Sequence, residues 1–227
     1  PVPLWRTISV KPGMILSLSA TRSGARCYLC VQGGFAVEPF LGSASTHMLT
    51  GLGGFAGRAL RGGDVLRIGP KRLPARQHRI DTHILRALAP RKELRVTAGP
   101  QTDWFSESAQ RAFYESPFRV AENSNRMGLR LEGAAVAPFP TREMITEGVS
   151  LGAIQVPSNG QPIILFVEQQ TTGGYPKIAN VIAADLPSVG QLRPRDEIRF
   201  ERVEFATAHS LLREQESLIQ SGLATTE

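Results

Sequence analysis

Two apolar stretches, Leu151–Val156 and Pro162–Val167, stand on either side of Ser158-Asn159-Gly160. Apolar runs of strand length around residues that tolerate a positive φ predict a β-hairpin. The second run, Ile163-Ile164-Leu165-Phe166-Val167, has no polar alternation, which predicts burial on both faces. It empties into Glu168-Gln169-Gln170-Thr171-Thr172-Gly173-Gly174-Tyr175-Pro176-Lys177. A buried strand ending in amides, hydroxyls, paired glycines, a tyrosine and a lysine delivers functional groups to a surface. A polar hairpin connection would use the same two glycines only to turn the chain.

The pattern elsewhere is also mostly that of short strands. Thr7–Val10, Met14–Leu18 and Ala25–Val31 have strand length, with Lys11-Pro12-Gly13 and Ser23-Gly24 between them. A turn feeding a strand recurs at Val10–Leu16, Leu60–Ile68 and Leu192–Phe200; in the third copy Arg195 replaces glycine, which predicts a turn without a strained φ. Glu93–Pro100 begins a fresh strand. Thr102 or Asp103 is placed to cap a helix from Trp104 to Phe113, with Trp104, Phe105, Ala109, Ala112 and Phe113 on its apolar side. Phe118–Ala121 and Leu129–Leu131 predict a second hairpin about Ser124–Gly128. Leu211, Leu212, Gln215, Leu218 and Ile219 recur at helical spacing within Ala206–Ser221.

The 227 residues allow one large β domain or two smaller ones, and 22 Gly with 16 Pro favour many turns. No apolar run approaches the ~18–20 residues of a membrane helix, and no signal peptide opens the chain. Two cysteines make no disulfide framework. A cytoplasmic setting, without membrane attachment, is expected. The net charge of +6 is uneven. Residues 1–70 carry seven basic and two acidic side chains, 71–92 seven and one, and the remainder twelve and seventeen. The basic stretch lacks interleaved aromatics and is expected to be a solvated linker rather than a nucleic-acid site.

Several chemistries have weak sequence support. On a strand, Cys27 and Cys30 would face opposite ways, no second C-x-x-C exists, and His47, His78, His83 and His209 lack ligand spacing, so no metal is expected. Nine glycines fall within Gly33–Asp64, yet neither a P-loop nor a dinucleotide fingerprint is present. Ser43, Ser45 and Thr46 could line a polar pocket there or bond their own backbone. No G-x-S-x-G occurs, and neither cysteine has an evident base. Asn125 and Arg126 at a hairpin tip form a fork suited to a carboxylate or phosphate, although any hairpin tip is polar.

Four stretches together, QVPSNGQPIILFVEQQTTGGYPKIANVI, RCYLCVQGGF, LGSAST and SNRMGLRLEG, resemble the biotin-dependent carboxyltransferase family. That family includes KipA-type proteins, the C-type subunit of 5-oxoprolinase, the protein called allophanate hydrolase subunit 2, and a region of urea carboxylase. The resemblance implies an all-β fold of two cyclophilin-like β-barrel domains with a few short helices, the first lacking its N-terminal portion. Residues 1–72 would belong to the first barrel, 73–92 to a basic linker, 93–205 to the second barrel and 206–227 to a C-terminal helix and tail. The implied function is that of the C-type subunit of an ATP-dependent 5-oxoprolinase, inactive alone. A homologous, KipI-like B-type subunit would help activate a small cyclic amide, ATP would be shared with the partner subunits, and an A-type subunit would complete hydrolysis. Gln169, Gln170, Thr171, Thr172, Lys177 and Glu147 are the expected catalytic groups. Asn125, Arg126, Gly173, Gly174, Tyr175, Glu132, Ser43 and Thr46 are the expected substrate or nucleotide contacts. The same resemblance admits carboxyl transfer to urea from carboxybiotin, or a non-catalytic role sequestering a KipI-type inhibitor.

Overall fold

Alternation within Glu93–Ala98 buries Leu94 and Val96 and turns Glu93 to solvent, and this segment forms strand β1 of a closed barrel. The structure is a computed structural model, which describes residues 2–70, 78–140 and 144–223. The chain divides into two compact units, Pro1–Val10 with Cys27–His78, and Lys11–Arg26 with Arg79–Glu227.

The second unit holds every strand found among the described residues. After β1 come β2 (Phe118–Val120), β3 (Gly128–Gly133), β4 (Glu147–Gly148), β5 (Ala153–Gln155), β6 (Ile163–Leu165), β7 (Thr172–Gly173), β8 (Lys177–Val181) and β9 (Glu197–Arg202). Seven of them close in the order β1-β8-β5-β6-β3-β2-β9, with β9 returning parallel to β1 in the register Leu94↔Phe200. Closure leaves no edge in need of protection. The barrel is filled by Leu94, Val96, Val120, Leu129, Leu131, Ile154, Ile164, Ile178, Ile198 and Phe200. Both predicted hairpins form: β5 pairs β6 with Ile154 opposite Ile164, and β2 pairs β3 with Val120 opposite Leu131. All three residues of β5 are buried, because β4 and β7 pair into a short ribbon that lies against Gln155 on its outer face.

The helices are α1 (Thr82–Ala87), α2 (Glu107–Glu115), α3 (Leu186–Val189) and α4 (Phe205–Leu223). α1 lies in the stretch expected to be linker; residues 71–77 of that stretch are outside the described residues. α2 starts later than the sequence predicts. Ser106 caps it through an Ala109 N–H···Oγ bond of 3.1 Å, while Thr102–Trp104 make a separate 3-10 turn. Phe113 explains the docking of α2: it is fully buried and stacks on Phe200 with centroids 4.5 Å apart. α4 packs against β1, α1 and the turn Ala183–Asp185, where Gln215 Nε2 donates to Ala184 O at 2.9 Å. The helical spacing read within Ala206–Ser221 corresponds to this element, which spans Phe205–Leu223.

Arg195 corrects a sequence expectation. Its φ is +73°, the left-handed conformation the missing glycine was expected to preclude. Tertiary bonds hold it there: Arg195 N–H donates to Val120 O (2.8 Å), its Nε donates to Glu122 (2.6 Å), and Asp196 Oδ2 accepts from Arg193 N–H (2.8 Å).

The first unit holds isolated bridges such as Phe35↔Ile68, Phe40↔Ser43 and His47↔Leu52, and no strand ladder, among its described residues. The segments Thr7–Val10, Met14–Leu18 and Ala25–Val31, expected as strands, have no ladder among the described residues. A strand exists only when its backbone is paired, and Trp5, Tyr28 and Leu41 of this unit remain exposed, as does Ile15 in the segment Lys11–Arg26. The Cys27 and Cys30 thiols are both exposed, on a segment that lacks the strand geometry from which opposite faces were inferred. Arg58 is the local anchor: it bonds both carboxylate oxygens of Asp64 at 2.8 Å and lies over the Phe55 ring. Those bonds, then the Arg61 N–H, hold the Asp64 carboxyl at about 2.

Candidate functional site

The loop leaving β6 returns as β8, and its end brings together side chains from four parts of the chain. Lys177, at the start of β8, has only 5% of its side chain exposed, and its Nζ lies 2.5 Å from Glu147 Oε1 on β4. Removing an ammonium from water costs several kcal/mol unless a partner and hydrogen bonds offset it. Glu147 supplies the charge, although the Nζ has no aligned hydrogen bond, so the contact is ionic. Gln101 orders the pair from the turn that follows β1. Its Nε2 donates to Glu147 Oε1 at 3.0 Å, and its Oε1 accepts the Lys177 N–H at 3.1 Å. Lys177, followed by Gln101, holds the Glu147 carboxyl below its ordinary value of 4.5.

A second amide network covers this pair. Gln155, 1% exposed, accepts from Gln170 Nε2 at 3.4 Å and donates to Tyr175 O at 3.5 Å. β7 brings Gly173 against Gln155, and a Cβ there would collide with Nε2 and approach Val149 Cγ1 to 3.2 Å. Gly174 makes no such approach; its Cβ would lie 3.5 Å from Thr146 Oγ1, an ordinary contact. The tight position expected of both glycines belongs to Gly173 alone. Gly173→Ala is therefore expected to displace the Gln155 amide and cut turnover of the assembled enzyme roughly tenfold or more, whereas Gly174→Ala leaves it unchanged. Melting curves of both variants should stay close to the parent, since the colliding atom ends a flexible side chain.

The other predicted residues are distributed as follows. Gln169 Nε2 donates to Val149 O at 3.3 Å, tying the loop to the ribbon. Thr171 and Thr172 have exposed side chains, and Tyr175 is about half exposed (49%). At the hairpin tip, Asn125 Oδ1 accepts from Met127 N–H (2.9 Å), so it shapes the turn. Arg126 lies 3.2 Å from Glu168 Oε1, while Glu168 N–H donates to Arg126 O at 2.9 Å. The tip thus meets the beginning of the loop, and Lys177 sits at its end with a different carboxylate. Glu132 is exposed on β3, at the opposite end of that strand from Gly128, beside an open groove with Arg130 and Gln161. Ser43 and Thr46 belong to the first unit; Ser43 Oγ accepts from Ser45 N–H (3.1 Å), and Thr46 packs against Gly54.

Buried polar groups are nearly always hydrogen-bonded, so exceptions mark places built for something else. Among the described residues Glu168 Oε1, Gln169 Oε1 and Lys177 Nζ are buried without an aligned hydrogen bond, Glu168 and Lys177 meeting instead their ion-pair partners Arg126 and Glu147. All three are on this one loop. Gln101 and Gln155 are the residues sequence reasoning missed. Gln155 carried a signal, a lone amide between Ile154 and Val156 in an apolar strand; Gln101 carried none.

The Glu147–Lys177 pair sets a pH dependence. A carboxylate depressed in the folded state contributes stability above its unfolded value, and that contribution is lost as pH falls through the lower folded value. The parent is expected to exceed Glu147→Gln in unfolding midpoint near pH ~7, with the gap closing toward pH ~3. An equal gap at both ends in parallel thermal melts would exclude the pair as its source.

Comparison with known proteins places this geometry. The family model described as carboxyltransferase domain, subdomain A and B, matches residues 1–202. The chain is 37% identical to the C-type subunit of 5-oxoprolinase from Escherichia coli over 212 residues, covering 93% of this chain and 67% of that protein. It is 32% identical to the urea amidolyase of Saccharomyces cerevisiae over 240 residues, covering 97% of this chain and 13% of that protein. The crystal structure of the K. lactis urea amidolyase superimposes with a TM-score of 0.76 at 31% identity, over 88% of this chain and 13% of that one. In the described residues no helix is long and apolar enough to cross a membrane. The chain, with its closed barrel, belongs to the family of the carboxyltransferase domain, subdomains A and B.

Proposed function

We propose that this chain is the C-type subunit of a complex that opens a small cyclic amide such as 5-oxoproline at the expense of ATP. The observation that carries the reading is the buried Lys177, neutralised by Glu147, with Gln101 bonding both Glu147 and the Lys177 backbone N–H and Gln155 opposite Lys177 in the β5–β8 ladder. Its relatives among the C-type subunits of 5-oxoprolinase support it. An amide resists hydrolysis because its nitrogen is a poor leaving group and its carbonyl is weakly electrophilic. A preorganised cation and amide N–H groups stabilise the negative charge that develops on the carbonyl oxygen as a nucleophile adds. Lys177 supplies the cation, and Glu147 keeps it charged and oriented. Gly173 lets the backbone approach Gln155.

A triphosphate needs several uncompensated donors. Lys177 and Arg126 are each matched by a carboxylate, so these residues fit the amide group of a small substrate better than a triphosphate. No step is therefore drawn through ATP on this chain; the partner subunits are assigned its binding. A second reading, carboxyl transfer to urea from carboxybiotin, is favoured by the similarity to urea amidolyase.

The test is co-expression with the candidate A-type and B-type partners, followed by an assay for ATP-dependent release of glutamate from 5-oxoproline. Release that requires all the chains supports the proposal. Formation of a stable complex without release, but with biotin-dependent carboxylation of urea, would replace it with the second reading. Turnover by this chain alone would contradict the division of labour.

A further inference from the structure

We propose that Arg26 is a positioning residue that fixes the exit of β6, and with it the first residues of the 168–177 loop. The inference rests on the reading of that loop as the reactive one, but its geometry stands apart. Arg26 is the last residue of the segment Lys11–Arg26, which belongs to the barrel unit; from Cys27 the chain continues in the other unit. Four contacts hold this point. The Arg26 guanidinium lies over the Phe166 ring, 5.4 Å from its centroid, and donates to Gly190 O. The Ala25 and Arg26 N–H groups both donate to Gln191 Oε1 at 3.0 Å. Gly24, at φ +68°, lies so close to Gln191 that a Cβ would come within 2.5 Å of its Oε1. Three adjacent donors and a ring are more than a solvated arginine collects by chance on an exposed segment.

Phe166 links this clamp to the loop. Its N–H donates to Met127 O (3.0 Å), and its carbonyl accepts from Gln169 N–H (2.8 Å). Glu168 N–H donates to Arg126 O in the same turn. A cation over an aromatic ring is worth about 0.5–1 kcal/mol at exposed sites and more when desolvated. Holding the ring in place therefore holds the turn from which Glu168, Gln169 and Gln170 project. Any displacement of the chain at Arg26 is transmitted to this turn through one side chain.

Amide hydrogen exchange reads the turn directly in the full chain, without reference to turnover. In Arg26→Ala the Glu168 and Gln169 amides are expected to exchange about tenfold faster. The Arg199 amide, bonded to Lys92 O on the far side of the barrel, should not change. Phe166→Leu should reproduce the pattern, and Arg26→Lys, which keeps a cation over the ring, should stay within about threefold of the parent. Unchanged exchange at Glu168 and Gln169 in Arg26→Ala would overturn the proposal. So would an equal rise at Arg199, since that is general destabilisation. Local loosening with full turnover of the assembled complex would support the clamp and remove the loop from the chemistry.

Discussion

Replacing Asp185 with alanine is expected to lower the unfolding free energy by about 3–5 kcal/mol, the cost of leaving one partner of a buried ion pair unmatched. Asp185 has 1% of its side chain exposed and receives three bonds from Arg95: from the backbone N–H at 2.8 Å, from Nε at 3.0 Å and from Nη2 at 2.5 Å. Arg95, 14% exposed, is held charged first by Asp185, against the opposing effect of burial. Removing the carboxylate strands a guanidinium between β1 and α4 and orphans a strand N–H. It also disturbs the turn whose Ala184 carbonyl receives Gln215 of α4. The double variant Arg95→Met, Asp185→Leu should recover part of the loss, because a buried pair is often replaceable by apolar side chains. Recovery should be incomplete, since the Arg95 N–H still lacks an acceptor. Urea unfolding of the parent and the two variants measures these terms; a loss under about 0.5 kcal/mol for Asp185→Ala would place the pair among ordinary surface contacts.

Lys177→Met is expected to act in the opposite way, on chemistry and not on stability. Methionine fills nearly the same volume, and Glu147, 46% exposed, regains water when its partner is lost. Burying a thioether in place of an ammonium removes a desolvation cost, so the melting temperature should stay level or rise. Loss of one preorganised group facing a developing oxyanion typically costs ~10²–10³ in rate. Turnover of the assembled complex should fall by that much, with the complex still forming on a sizing column. Retained turnover with a lowered melting temperature would assign Lys177 to the structure of the barrel instead of its reaction.

The contrast between these two pairs shows why the candidate site was only partly legible. Lys177 and Glu147 were both visible as polar residues at the ends of strand-like runs. Their pairing was not, because Glu147 reaches Lys177 only through the β4–β7 ribbon, and β4 and β7 are two residues each. Gln101, 46 residues before Glu147 and 76 before Lys177, orders both, and its own surroundings in the sequence are an unremarked turn. Asp185 likewise looks like a helix-entry residue until Arg95 arrives from 90 residues away. Arg126 met the loop as expected, but through Glu168 at its start.

What the sequence determined by itself is local. The hairpins at 151–167 and 118–131, the strand at 93–98 and the helix from 205 to 223 were readable because period and turn chemistry act within a few residues. The family resemblance was equally legible, since it too is carried by contiguous stretches. Only the tertiary structure decided the rest. Strand-like segments at 7–31 remain unladdered, because a strand is defined by the partner that accepts its hydrogen bonds. Arg195 takes a left-handed φ against its own preference, because Val120 and Glu122 bond it there. Lys177 is buried beside a carboxylate that folding places 2.5 Å away, which no spacing along the chain encodes.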